Sequence, residues 1–261
     1  MSLTGKKFSS RFKDLLVIQN SNNGFDNSRD QIQSGNGNGS SLYLSTDQAL
    51  VKGASNSTGS FFVQNATGNE LFKVDSTNSQ VKSLETHVNT QYATFSICNT
   101  DSSAFVAGTH YPIFFGGHQG FANADVDFGT GTDPGHDFTT SDTDSNYAAQ
   151  IVPMMWIVPD NISIDSVSHI EGADAATGEV TRMHLKSFTY TSGSTSCLAS
   201  GELLAHSNDI TNAGNEQVYS GTWTVDSATV TAGKAILCFF KSDSTVNSDY
   251  SITCIVKYHL T

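Results

Sequence analysis

Short runs in which apolar and polar residues alternate recur along this chain, and helical periodicity is almost absent. Leu42, Leu44, Val51 and Lys52 return thirty residues later as Phe72, Val74, Val81 and Lys82. Each copy reads as a short strand, a polar turn and a second short apolar touch. Ser60-Phe-Phe-Val-Gln-Asn65 adds a strand between the copies, with turn signals at Asn56–Gly59 and Thr67–Asn69. A unit this small cannot bury its own apolar side chains, and two units are fewer than the about three that a self-sufficient stack requires. The missing neighbours are expected from other copies of the chain. That predicts a thin trimeric stalk whose interface holds Leu42, Leu44, Val51, Phe72, Val74 and Val81.

From about Gln91 aromatic residues become denser and the predicted strands longer. Ala93–Ile97, Tyr111–Phe115, Ile151–Val158, Met183–Phe188, Val218–Val225 and Ala235–Lys241 all read as strands, and Ile162, Ile164, Val167 and Ile170 mark another. The last strand is the clearest. Tyr250, Ile252, Cys254, Val256, Tyr258 and Leu260 fall on one face, and Ser251, Thr253, Lys257 and His259 on the other. The prediction is an all-β protein in three parts. Residues 1–40 form an attachment segment and polar linker, 41–90 the repetitive stalk, and 91–261 an antiparallel β-sandwich head, jelly-roll-like in plan. Within the first part, Phe8, Phe12, Leu15 and Leu16 with Lys6, Lys7 and Arg11 suit an amphipathic anchor docking on an acidic surface. Asn20–Ser40 reads as a polar spacer.

Composition sharpens this picture. Only 37% of the residues are hydrophobic and 15% charged, as expected of a turn-rich β protein solvated by neutral side chains. Sixteen Phe, eight Tyr and two Trp supply material for a core. The net charge is −12. Four cations (Lys6, Lys7, Arg11 and Lys13) precede the first acid, Asp14, leaving nine cations against twenty-five acids thereafter. Between Lys82 and Arg182 lie thirteen acids and no Lys or Arg, which disfavours nucleic acid and anionic membranes as partners. The first residues carry no secretory apolar core, and no run approaches the about 20 apolar residues of a membrane span, so folding in a cytoplasm is expected. Cys98, Cys197, Cys238 and Cys254 form no paired motif and read as reduced thiols rather than disulfides or zinc ligands.

Three stretches carry a family resemblance. They are Lys13-Asp-Leu-Leu-Val-Ile-Gln-Asn-Ser-Asn-Asn-Gly24, Leu71-Phe-Lys-Val-Asp-Ser-Thr-Asn-Ser-Gln-Val81, and the end of the chain, with Asn247-Ser-Asp-Tyr-Ser-Ile252 and Val256-Lys-Tyr-His-Leu260. Together these resemble virion appendage proteins of tailed phages of marine bacteria. The resemblance implies a homotrimer whose N-terminus sits on tail or capsid proteins and whose C-terminal head faces outward. A tail fibre that binds a host glycan or protein is the function expected. A head fibre or capsid decoration protein, and a short glycan-cleaving tailspike, are the alternatives.

Candidate chemistry is sparse. Tyr111, Phe114, Phe115, His118 and Phe121 couple aromatic rings to a Gly-rich loop, and Trp223 follows a Ser-Gly-Thr turn; these are the expected receptor-binding residues, although Phe114 and Phe115 could equally line the core or a trimer axis. Asp125, Asp127 and Asp133 offer oxygens to a cation, but the spacing lacks the further acids of a calcium loop. No nucleophile motif is present, and no carboxylate pair stands out. Neither catalysis nor a cofactor is expected.

Overall fold

The computed structural model describes residues 16–20, 24–97, 106–116, 126–141, 148–174, 177–214, 216–243 and 249–261. It is all-β apart from one short helix, as the alternation predicts. The chain divides into two units, Met1–Val88 and Asn89–Thr261.

The first unit contains two four-stranded antiparallel meanders. One runs β1 (Leu16–Ile18), β2 (Asp30–Ser34), β3 (Gly39–Leu44) and β4 (Ala49–Val51). The other runs β5 (Phe61–Gln64), β6 (Glu70–Asp75), β7 (Gln80–Ser83) and β8 (Thr86–His87). One expectation needs correction here. Leu16–Ile18 pairs with Ile32–Ser34. Asn20–Ser40 is no mere linker, because it holds β2 and opens β3. Strand β2, Asp-Gln-Ile-Gln-Ser, carries a single apolar residue, Ile32, which is buried, and pairs on both sides through its backbone.

The echo is real in three dimensions, though its halves pair differently. Leu42 lies opposite Val51 in the first meander, whereas Val74 lies opposite Val81 in the second. The turn chemistry explains the shift. Ser45-Thr-Asp-Gln48 and Ser76-Thr-Asn-Ser79 both close four-residue turns, and they stand thirty-one residues apart rather than thirty. In the first, Ser45 Oγ accepts from Gln48 N at 3.0 Å; in the second, Asp75 Oδ1 accepts from Asn78 N at 2.9 Å. The turn, not the apolar spacing, sets the register.

The second unit is one large, nearly closed antiparallel sheet. Its strands are β9 (Thr90–Ile97), β10 (Tyr111–Phe115), β11 (Trp156–Ile157), β12 (Ile162–Asp174), β13 (Val180–Tyr190), β14 (Leu198–His206), β15 (Ile210–Thr211), β16 (Glu216–Thr222), β17 (Thr224–Val225), β18 (Thr229–Val230), β19 (Lys234–Ser242) and β20 (Asp249–Leu260). Their order is β16-β12-β20-β9-β10-β19-β13-β14-β17. Among the eight long strands the pairing is nested. The first pairs with the last (β9 and β20), and β10 pairs with β19. Inside these, β12 pairs with β16 and β13 with β14. Strand β10 joins the two halves, pairing through Tyr111–Ile113 with β19 and through Phe114–Phe115 with β9.

Two apolar clusters explain two kinds of strand sequence. The main core gathers Phe95, Ile113, Val167, Met183, Leu185, Cys238, Cys254 and Val256 inside the barrel. A second cluster, with Val126, Phe128, Phe138, Ile151, Met154, Phe188, Leu237 and Phe239, lies on the other face of β13 and β19. Strand β20 is covered on one face and alternates. Strand β19, buried on both faces, reads Ala-Ile-Leu-Cys-Phe-Phe without a break. The run Ile151–Val158, expected as a strand, is instead the end of helix α1 (Ala148–Ile151), a 3₁₀ turn at Val152–Met154 and the two-residue β11. Pro153 removes a ladder donor and starts the tight turn. Cys197, Cys238 and Cys254 are free thiols; Cys98 lies outside the described residues.

Candidate functional site

In the first unit the candidate surface is the apolar face of each meander. Leu42, Leu44, Ala49 and Val51 share a face of the first sheet by register, and Phe61, Val63, Phe72, Val74 and Val81 share a face of the second. All six expected stalk residues therefore lie on these faces. They are only exposed or half-buried, and Ile32 is the one buried apolar side chain among the described residues of 1–88. Strand β5 is an edge strand, and Phe61, Phe62 and Val63 are each more than 40% exposed. An apolar edge of this kind is a pairing template unless something covers it. Of the expected attachment residues, Leu16 is 77% exposed on β1; Lys6, Lys7, Phe8, Arg11, Phe12 and Leu15 lie outside the described residues.

In the second unit the expected receptor-binding aromatics are placed against the interior. Tyr111 is buried, and its hydroxyl accepts from Val106 N at 2.9 Å. Phe114 and Phe115 are half-buried and pack on the core, Phe115 stacking on Trp156 with centroids 5.7 Å apart. His118 and Phe121 lie outside the described residues. Trp223 is buried, contrary to the exposure its turn-like context suggested, and the topology gives the reason. Strands β16 and β17 occupy opposite ends of the sheet path and are separated in sequence only by Trp223. The chain crosses the open seam of the barrel at that residue, and the indole goes inward. Its Nε1–H donates to His169 Nδ1 at 2.7 Å, while its backbone N–H donates to Val167 O at 2.9 Å.

The seam side of the interior is polar. Glu171 is fully buried and accepts from Thr181 Oγ1 at 2.8 and 3.0 Å. Burial pushes its carboxyl up to about 7, against the lowering effect of its hydrogen bonds to Thr181 and Asn212. Close by, the Tyr250 hydroxyl donates to Glu179 Oε2. Two clefts open near this wall. One of about 460 Å³ lies among Gly172, Asp174, Glu216, Val218 and Ser251 on the ends of β12, β16 and β20. The other, of about 350 Å³, lies at the seam between β16 and residues 208–211.

On the outer face of β13 and β19, residues 126–138 cover a second buried polar group. His110 and His184 meet edge to face at 4.9 Å, both fully buried. His110 Nδ1 is 3.0 Å from Gly129 O, and His184 Nε2 is 3.5 Å from Asp133 Oδ1. Lys186 Nζ donates to Pro134 O at 2.7 Å, and Lys241 Nζ to Gly131 O at 3.3 Å. Desolvation holds both imidazoles neutral, His110 down to about 4 and His184 to about 2. Of the expected cation ligands, Asp127 Oδ1 accepts from Gly129 N at 3.0 Å and Asp133 faces His184; Asp125 lies outside the described residues. Among the described residues, no three-ligand group includes Asp127 or Asp133. No described helix is long and apolar enough to cross a membrane.

Neither histidine drew attention in the sequence. His184 falls in a strand whose alternation is hidden by double burial, and His110 in a loop; no local pattern marks them. Compared with known proteins, the chain matches no protein-family model and no curated protein sequence.

Proposed function

We propose that the chain is a homotrimeric phage virion structural protein, a tail fibre whose N-terminal part mounts on the particle and whose C-terminal head binds the host surface. The observation that carries this reading is the first unit's want of a core. Two meanders present apolar faces, bury one apolar side chain among the described residues, and leave an apolar edge strand open. Copies of the chain packed around a common axis would cover those faces, as in the thin stalk of a fibre. The head supports the reading by its nested strand pairing, the order of a jelly roll, a plan common among viral capsid and lectin domains. Function then follows from avidity: three heads on one mount hold a surface that one head grips weakly. No step of the reading requires a cofactor or a reaction.

Two measurements test it. Light scattering on the purified protein should give about three times the chain mass of 27.9 kDa. Cryo-electron microscopy of virions should place threefold density of this chain at the tail, heads outward. A monomer in solution would remove the main support. Density at capsid vertices would make the protein a head fibre instead.

A further inference from the structure

We infer that the seam cleft of the head is a saccharide subsite, in which the His169 Nε2–H donates to a sugar oxygen and Asp209 accepts from a sugar hydroxyl. This deepens the receptor-binding reading above and rests on it, naming the class of receptor.

The starting point is a donor with nothing to donate to. The Trp223 indole N–H can only donate, so the His169 Nδ1 it reaches at 2.7 Å must be the accepting nitrogen. The single proton of the neutral ring then sits on Nε2. Burial disfavours the charged ring, which would protonate both nitrogens. His169 is only 5% exposed, and its Nε2 has no hydrogen-bond partner. Buried donors without acceptors are rare and call for an explanation. Here the ring lines a cleft of about 350 Å³, at the lower end of small-ligand sites. Gly221 contributes to the same wall, and a side chain there would meet His169 Cε1 at 2.8 Å. The ring edge fits only because that position has none.

The remaining lining selects the ligand class. Asn208, Thr211 and Thr222 supply neutral donors and acceptors, Tyr219 supplies an aromatic ring, and Asp209 a carboxylate that is 60% exposed. Among the described residues, the neighbouring cation Arg182 pairs with Asp209 at 3.4 Å. An anionic ligand would meet a carboxylate without a free counter-charge, and a wholly apolar ligand would leave the polar lining unsatisfied. Hydroxyl groups both accept from His169 and donate to Asp209. A pyranose carries several of them around an apolar ring face that suits Tyr219.

The test is saturation-transfer NMR on the full-length protein with the methyl glycosides of glucose, galactose, mannose, N-acetylglucosamine and rhamnose. At least one should receive saturation from the wild type. Thr211→Trp, which fills the cleft from an exposed position, should abolish the signal. Asp209→Ala, at an exposed site outside the core, should weaken binding about tenfold with an unchanged melting curve. Absence of transfer to all five glycosides overturns the inference, and so does undiminished transfer in both variants. Adsorption of labelled wild-type protein to the bacterium that the virions infect is scored alongside. Adsorption without glycoside transfer would sink the saccharide subsite and leave the receptor reading standing. Transfer without adsorption would support the subsite and sink the receptor reading.

Discussion

Residues 16–88 and 89–261 use the same antiparallel hydrogen bonding and differ in what lies against their sheets. In the second unit β13 and β19 are sandwiched between two apolar clusters, and side chains such as Phe188, Leu237 and Phe239 have no exposed surface. In the first unit the apolar faces of both meanders are exposed or half-buried among the described residues. Backbone pairing alone therefore builds strands in both places, but only burial gives a sheet stability of its own. The contrast divides the molecule: residues 89–261 bury two apolar clusters of their own, whereas the described residues of 1–88 bury only Ile32 among their apolar side chains.

The sharpest way to break that contrast is to truncate a ring in each unit. Phe239 lies in the second cluster against Phe128, with centroids 4.7 Å apart, and is fully buried. Phe239→Ala should cost about 3–5 kcal/mol, read from the denaturant midpoint of the head's transition. A loss below about 1 kcal/mol would mean that this cluster is loosely packed. Glu171→Gln should come next in size and have the opposite sign. The Glu171 carboxyl is raised to about 7 in the folded protein, so the wild type loses stability as pH rises from about 4.5 through 7. The amide keeps the Thr181 hydrogen bond and cannot ionise. It should therefore match the wild type at pH 4 and exceed it by about 1–3 kcal/mol at pH 8. Equal stability at both pH values would mean that the carboxylate is better solvated than its burial implies.

How much of this was legible in the sequence depended on whether one local signal sufficed. Strand β20 could be read outright, because one covered face and one open face write themselves as alternation. Strand β10 was legible for its apolar density and its Gly-Gly close. Strand β14 was missed: Leu-Ala-Ser-Gly-Glu looks like a loop, and the structure indeed bulges there, with Ser200 at φ 53° and two register shifts against β13. The polar β2 was not legible for the opposite reason, since Ile32 is its one apolar residue and a single residue shows no alternation. The site residues were harder. Trp223 looked exposed beside its turn, and only the topology shows that it bridges the ends of the sheet. His169 carried no signal at all, because a lone histidine acquires meaning only from the donor and the cleft that the fold brings to it.

Acid should separate the units further. His110 and His184 are held neutral in the fold, so protonation is easier in the unfolded chain, whose imidazoles titrate near 6.5. Their contribution is fully present above that value and is lost as pH falls from about 6.5 towards about 4 for His110 and about 2 for His184. Protonated rings would face Lys186, Lys241 and Arg182, with Asp133 the nearest compensating carboxylate. His184→Phe, close in volume, should flatten the fall in head stability between pH 6.5 and 4.5 relative to the wild type, by about 1 kcal/mol or more. Parallel wild-type and variant curves would show that water reaches the pair.

The smallest effect is expected where the sequence signal was strongest. Phe72 opens the second copy of the echo and touches Phe61 edge-on, with centroids 6.3 Å apart, yet remains half-buried. In protein diluted until scattering shows a monomer, Phe72→Ala should change stability by less than about 1 kcal/mol, because little of the ring leaves water within one chain. The same substitution should raise the concentration needed for assembly, since the ring is then buried against a neighbouring copy. A loss of about 3 kcal/mol or more in the monomer would mean that a single chain already covers this face. The apolar sheets of residues 16–88 would then need no copies, and the stalk reading would lose its physical basis.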